Sequence, residues 1–194
     1  MLSSGHRTYD WRMAQESPDP AWTGDERTTL TGYLEDQRST LAWKCKDLTE
    51  AQLKEPSVPP SKLTLLGLVR HMAEVERGWF RRRLAKEGLG PIWCSDEQPD
   101  ADFDEVADAD VAASFAAWEE ECRRSRQILR ELPSLEVTLV TSAGDVLSAR
   151  CMVNHMIEEY SRHNGHADLI RERIDGKTGD FPPPEERLPP PGQG

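Results

Sequence analysis

No two of the four cysteines, Cys45, Cys94, Cys122 and Cys151, stand in a CxxC pair. Their wide spacing gives no disulfide framework and no thiolate zinc site, so reduced thiols are expected. No apolar run approaches the roughly 20 residues that span a bilayer, and the first residues lack the charged, apolar, then small order of a secretory signal. A cytoplasmic protein is the expectation. Positive charge is also short: 24 Lys and Arg against 35 Asp and Glu give a formal net charge of -11. Nucleic acid and anionic membrane surfaces need a basic footprint, so neither is an expected partner. The short basic runs Arg81-Arg82-Arg83 and Arg123-Arg124 have acidic residues interleaved nearby and read as solvated helix faces. No repeat of solenoid period is found.

What is present is helical periodicity. Residues 1–22 are polar and irregular and read as a loosely held arm. Thr23-Gly24-Asp25-Glu26 has the form of a capping box opening a first helix, with Leu30, Leu34, Leu41, Cys45 and Leu48 as its stripe. Pro56, Pro59 and Pro60 interrupt the chain. A second helix starts near Thr64, its seam running through Leu65, Leu68, Met72, Val75 and Trp79, with His71 beside it. From Gly88 to about Asp108 lies a long acidic loop carrying Trp93 and Phe103. Val111, Phe115, Trp118, Cys122, Leu129 and Leu132 mark a third helix. Two β-prone runs around Gly144-Asp145 predict a short hairpin or an extended crossover. Ser148 can cap a last helix that ends before Gly176. The proline-rich residues 179–194 read as a disordered tail. The fold class is therefore all-α, one domain over 23–178: a four-helix bundle with a long crossover.

The last helix carries an unusual stripe. Positions 152, 156, 159, 163, 166 and 170 step by four and three along one face, apolar at both ends in Met152, Met156 and Ile170. The middle is Glu159, His163 and His166. A carboxylate inside a core costs several kcal/mol unless it is paired or coordinated. Sites inside bundles draw on facing helices, and the second helix offers His71. One carboxylate and two imidazoles suit zinc, nickel or iron and leave coordination positions open. Packing is the competing reading: a lone His71 is more often a satisfied boundary histidine, and an i, i+4 Glu–His pair more often lies on a surface. The pair's place at the centre of its helix's apolar stripe argues against the surface reading. His155 points to the stripe's margin and reads as packing. His166 is a spare ligand or a partner behind the ligands.

Two segments carry a resemblance: Thr64-Leu65-Leu66-Gly67-Leu68-Val69-Arg70-His71-Met72-Ala73-Glu74-Val75-Glu76-Arg77-Gly78-Trp79-Phe80 and His155-Met156-Ile157-Glu158-Glu159-Tyr160-Ser161-Arg162-His163-Asn164-Gly165-His166-Ala167-Asp168. They resemble the DinB-like (YfiT-like) superfamily over about residues 23–180. More narrowly they resemble its actinobacterial branch, related to mycothiol-dependent maleylpyruvate isomerases and mycothiol or bacillithiol S-transferases. The resemblance implies an up-down-down-up four-helix bundle. It also implies a divalent metal held by His71, Glu159 and His163, zinc before nickel or iron. Many members have His at the position of Glu159, whereas the mycothiol-dependent isomerases have Glu. Where many relatives have Gln after the motif glycine, this chain has His166, which could add a fourth ligand.

The function these readings lead to is a metal-dependent S-transferase. A low-molecular-weight thiol, mycothiol by resemblance, is activated for attack on an electrophilic substrate. Alternatives on the same residues are a thiol-dependent isomerase, a metal-assisted hydrolase and a non-catalytic metal-binding stress or regulatory protein. A monomer or homodimer is expected.

Overall fold

The computed structural model describes residues 24–141 and 143–179. The arm at 1–22 with Thr23, the residues from 180 onward and Ser142 lie outside the described residues. Four long helices form a bundle: α1 (Glu26–Cys45), α3 (Leu65–Glu76, continued by a π-helical stretch Arg77–Leu84), α5 (Val111–Glu131) and α6 (Ala149–Asp175). Short helices α2 (Glu50–Leu53) and α4 (Ala101–Asp104) sit in the connections, and strands β1 (Thr138–Val140) and β2 (Val146–Ser148) precede α6. The strands are antiparallel, Leu139 opposite Leu147.

Each long helix begins with a side-chain oxygen accepting the amide three residues on, which satisfies an orphan donor. Asp25 accepts from Thr28 N at 2.7 Å, Thr64 from Gly67 N at 3.0 Å, Asp110 from Ala113 N at 2.9 Å and Ser148 from Cys151 N at 3.1 Å. The first cap is thus Asp25 and not a box centred on Thr23, because the helix starts two residues later than that motif requires. Helix α6 stops at Gly176, whose φ of 78° completes a left-handed cap.

Contacts along the helices fix their directions. His71 meets His163 and Trp79 meets His155, so α3 and α6 are antiparallel. Glu26 meets Arg150, Gln37 meets Asn164 and Lys44 meets Asp168, so α1 and α6 are parallel. Gly67 lies beside Val106, just ahead of α5, and Glu76 lies beside Ser125, so α3 and α5 run together. The order is up-down-down-up, as the resemblance implies.

Leu34, Leu41, Leu68, Met72, Phe80, Trp118, Met156 and Tyr160 are among the residues that fill the core. Each buried side chain of this size stabilises the fold by roughly 1.5–3 kcal/mol. Among them lies a polar knot. The Arg38 guanidinium forks onto Glu76 at 2.8 and 2.7 Å, and Ser125 Oγ and Tyr160 Oη donate to the same carboxylate at 2.6 and 2.9 Å. Trp118 Nε1 donates to Tyr160 Oη at 2.8 Å. All four bundle helices therefore meet at Glu76, five residues beyond His71, with Tyr160 next to Glu159. The knot fixes the rotation of α3 and α6 about their axes, and with it the faces that carry the ionisable residues.

Candidate metal centre

Residues 159 and 163 are one turn apart on α6, and the antiparallel packing brings α3 across from them. One ligand-type atom from each of His71, Glu159 and His163 lies within 4.8 Å of the others. The three are half-buried, with Glu159 at 21% and His163 at 12% side-chain exposure. The middle of the α6 stripe therefore opens to solvent where a fully buried carboxylate was expected. Periodicity marks which residues share a face, and it does not distinguish a core from the wall of a cleft. The fully buried residues of this stretch are Tyr160 and Ala167, on the flank of the stripe.

His71 is held from behind. Its Nδ1 is 2.8 Å from Asp102 Oδ2, and Phe103 stacks on its ring with centroids 4.7 Å apart. With Nδ1 engaged, Nε2 is the nitrogen left for a ligand in the cluster. Asp102 is only 3% exposed and comes from α4 in the acidic loop. That loop is bolted to α3: Glu74 Oε1 accepts the amides of Ile92, Trp93 and Cys94 at 2.8, 2.6 and 3.0 Å. Arg70 donates to the carbonyls of Ala101 and Asp102 and lies over the Trp93 ring at 4.3 Å. Asp102 escaped the sequence reading because nothing in its spacing separates it from the other loop aspartates.

Glu159 is flanked on both sides. Its two carboxylate oxygens are each 3.6 Å from an imidazole Nε2, one of His155 and one of His163. These separations are too long for hydrogen bonds. Two donors each about 2.1 Å from a tetrahedral zinc stand roughly 3.4 Å apart, so the Glu159–His163 gap suits an ion between them. His155, read from sequence as packing, does pack on Trp79 at 4.7 Å between centroids, but it also borders the carboxylate. His166 does not join the three. Its Nδ1 lies 3.4 Å from His163 Nδ1, on the far side of that ring from Glu159. Burial, followed by the nearby His71 and His166, lowers the His163 pKa to about 4. The ring is neutral at pH 7 and its lone pair is available to a cation.

The mycothiol-S-transferase family model matches residues 29–176, a span that contains His71, Glu159, His163 and the whole of α3, α5 and α6. The chain belongs to the mycothiol-S-transferase family. Membership implies a transferase that joins mycothiol, as thiol co-substrate, to an electrophile. Neither a curated protein nor a solved structure gives a significant match. The cysteines fit the family chemistry, in which the reacting sulfur comes from the co-substrate. Burial pushes the Cys94 thiol up to about 11 and Cys45 up to about 12, and it raises Cys122 still further. None of the described cysteines falls in the His71–Glu159–His163 cluster. Among the described residues no helix is long and apolar enough to cross a membrane.

Proposed function

We propose that His71, Glu159 and His163 hold a divalent metal ion, zinc before nickel or iron, at which mycothiol is activated for transfer to an electrophile. The convergence of two imidazoles and one carboxylate within 4.8 Å carries this reading. The donor set fits: it is the nitrogen and oxygen chemistry of a catalytic zinc site, and three protein ligands leave positions open. A bound cation would supply the Lewis acidity that turns a thiol into a thiolate near neutral pH.

The protein's own residues do the remaining work. Asp102 accepts a hydrogen bond from His71 Nδ1–H, which keeps the ring turned so that Nε2 faces the cluster. Phe103 closes one side of that ring against water. His166 engages His163 at Nδ1, which leaves Nε2 on the Glu159 side. Glu159 brings a single carboxylate to the two imidazoles, so the three residues would hold a dication with part of its charge left unbalanced. The half-open middle of the α6 stripe gives both substrates access.

Metal content of the purified protein, measured beside Glu159→Ala and His163→Ala, tests this reading together with transfer of mycothiol to a fluorogenic electrophile. Near-stoichiometric zinc, lost in both variants along with turnover, is the expected result. Turnover retained in variants that have lost the metal would end the metal reading while leaving the family assignment intact.

A further inference from the structure

Arg83 stands apart from the other arginines around it. Arg77 and Arg81 reach Glu121, Arg81 and Arg124 reach Glu87, and Arg126 reaches Glu35. Arg83 has no carboxylate in ion-pair reach among the described residues. Burial pulls its pKa below the usual value, and neighbouring Arg82 adds to that. The side chain is nonetheless placed. Its guanidinium carbon lies 4.6 Å from the centroid of the Trp79 ring, a cation–π contact. Its Nη1 also rests against Gly78, where a Cβ would come within 3.1 Å. The π-helical turn of Arg77–Leu84 is what brings these residues together, and such turns recur at functional sites.

Trp79 connects this cation to the candidate centre. Its ring packs against His155 at 4.7 Å between centroids, and His155 Nε2 is 3.6 Å from Glu159. His71, Trp79 and Arg83 therefore follow one another along α3 and its π-helical extension, while His163, Glu159 and His155 follow along α6 in the opposite direction. A molecule reaching from the cluster past His155 and Trp79 would meet a guanidinium whose N–H donors have no acceptor among the described residues. On a chain of net charge -11 an anion is repelled unless a dedicated cation receives it.

We propose that Arg83, seated on Trp79, is an anion subsite of the candidate centre that receives a carboxylate of the electrophilic substrate. This rests on the transferase reading for its role, but the subsite can be measured without turnover. Trp79 carries the guanidinium on its ring, which leaves the N–H donors at the guanidinium edge to receive a carboxylate, for which benzoate is a simple probe. The thiol is then activated at the His71–Glu159–His163 cluster while the carboxylate of the electrophile is held at Arg83.

The test uses benzoate, with benzamide as its neutral counterpart, titrated calorimetrically into zinc-loaded and metal-free full-length protein. Benzoate is expected to bind both forms, and benzamide to bind at least about tenfold more weakly. Arg83→Gln should weaken benzoate by about tenfold, Arg83→Lys by less, and exposed Arg82→Gln should leave it unchanged. Binding that vanishes in metal-free protein, or that survives Arg83→Gln, would overturn the subsite by placing benzoate on the metal or elsewhere. Mycothiol added at saturation should leave benzoate affinity intact; displacement would give the cation to the thiol and overturn the assignment to the electrophile. Failure of the metal analysis would remove the metal reading of the cluster, whereas Arg83-dependent benzoate binding would stand.

Discussion

His71 divides its two ring nitrogens between Asp102 and the open side of the cluster. Removing the carboxylate in Asp102→Ala frees the ring to turn and to change tautomer. Zinc affinity should fall by about 10–100-fold, read by competition with a chromophoric chelator. An unchanged affinity would mean that the Phe103 stack alone orients the ring. His163 makes a separate prediction about pH. Its folded pKa of about 4 lies below the ordinary histidine value of 6.5. Between those two values the unfolded chain binds the extra proton and the folded chain does not. Its contribution to stability is therefore complete above about pH 6.5 and is lost as the pH falls toward 4. Urea midpoints of the metal-free protein should drop over that window, and His163→Gln should flatten this part of the profile.

The acidic loop shows how one element serves another. Three consecutive amides, from Ile92 to Cys94, converge on the single oxygen Glu74 Oε1, so one α3 side chain anchors the stretch that leads to Asp102. Glu74→Ala should speed hydrogen exchange at those amides by about tenfold or more, since each loses a charge-assisted bond. Unaltered exchange would show that Arg70 and Trp93 hold the loop without it. Of the two readings of residues 137–147, a hairpin or an extended crossover, the structure has the hairpin. The four long helices, the Ser148 cap and the stop before Gly176 were legible in the sequence because each depends on near neighbours along the chain. So was the Glu159–His163 pair, one turn apart, and His71 beside a regular seam. Asp102 was not: it is 31 residues from His71, in a loop rich in the same residue type. Arg38 was missed for a related reason, since an arginine at its position reads as surface until Glu76 from another helix is known to reach it. The π-helical turn left no periodic mark, and with it Arg83 was read as solvated.

At the scale of the molecule, stability and site geometry share the knot at Glu76. Truncation in Glu76→Ala would leave Arg38 buried at 1% exposure without its main counter-charge. A loss of about 3–5 kcal/mol is expected in urea unfolding. The paired replacement Arg38→Met with Glu76→Leu should recover most of it, because two apolar side chains need no partner. A pair replacement as damaging as Glu76→Ala would instead assign the loss to Ser125 and Tyr160, whose hydroxyls also depend on that carboxylate.

The parallel alignment of α1 with α6 has a consequence for the order of synthesis. Lys44 reaches Asp168 and Gln37 reaches Asn164, partners more than 120 residues apart. A ribosome delivers α1 long before the helix that will cover it. His71 is likewise made well ahead of Glu159 and His163. The nascent chain must carry a half-built bundle with an uncovered apolar flank until α6 emerges, and closure of such distant contacts is slow. Assembly of the cluster thus becomes the last event in the making of the domain, and a chain that has brought His71, Glu159 and His163 together is one whose translation has already passed the final helix.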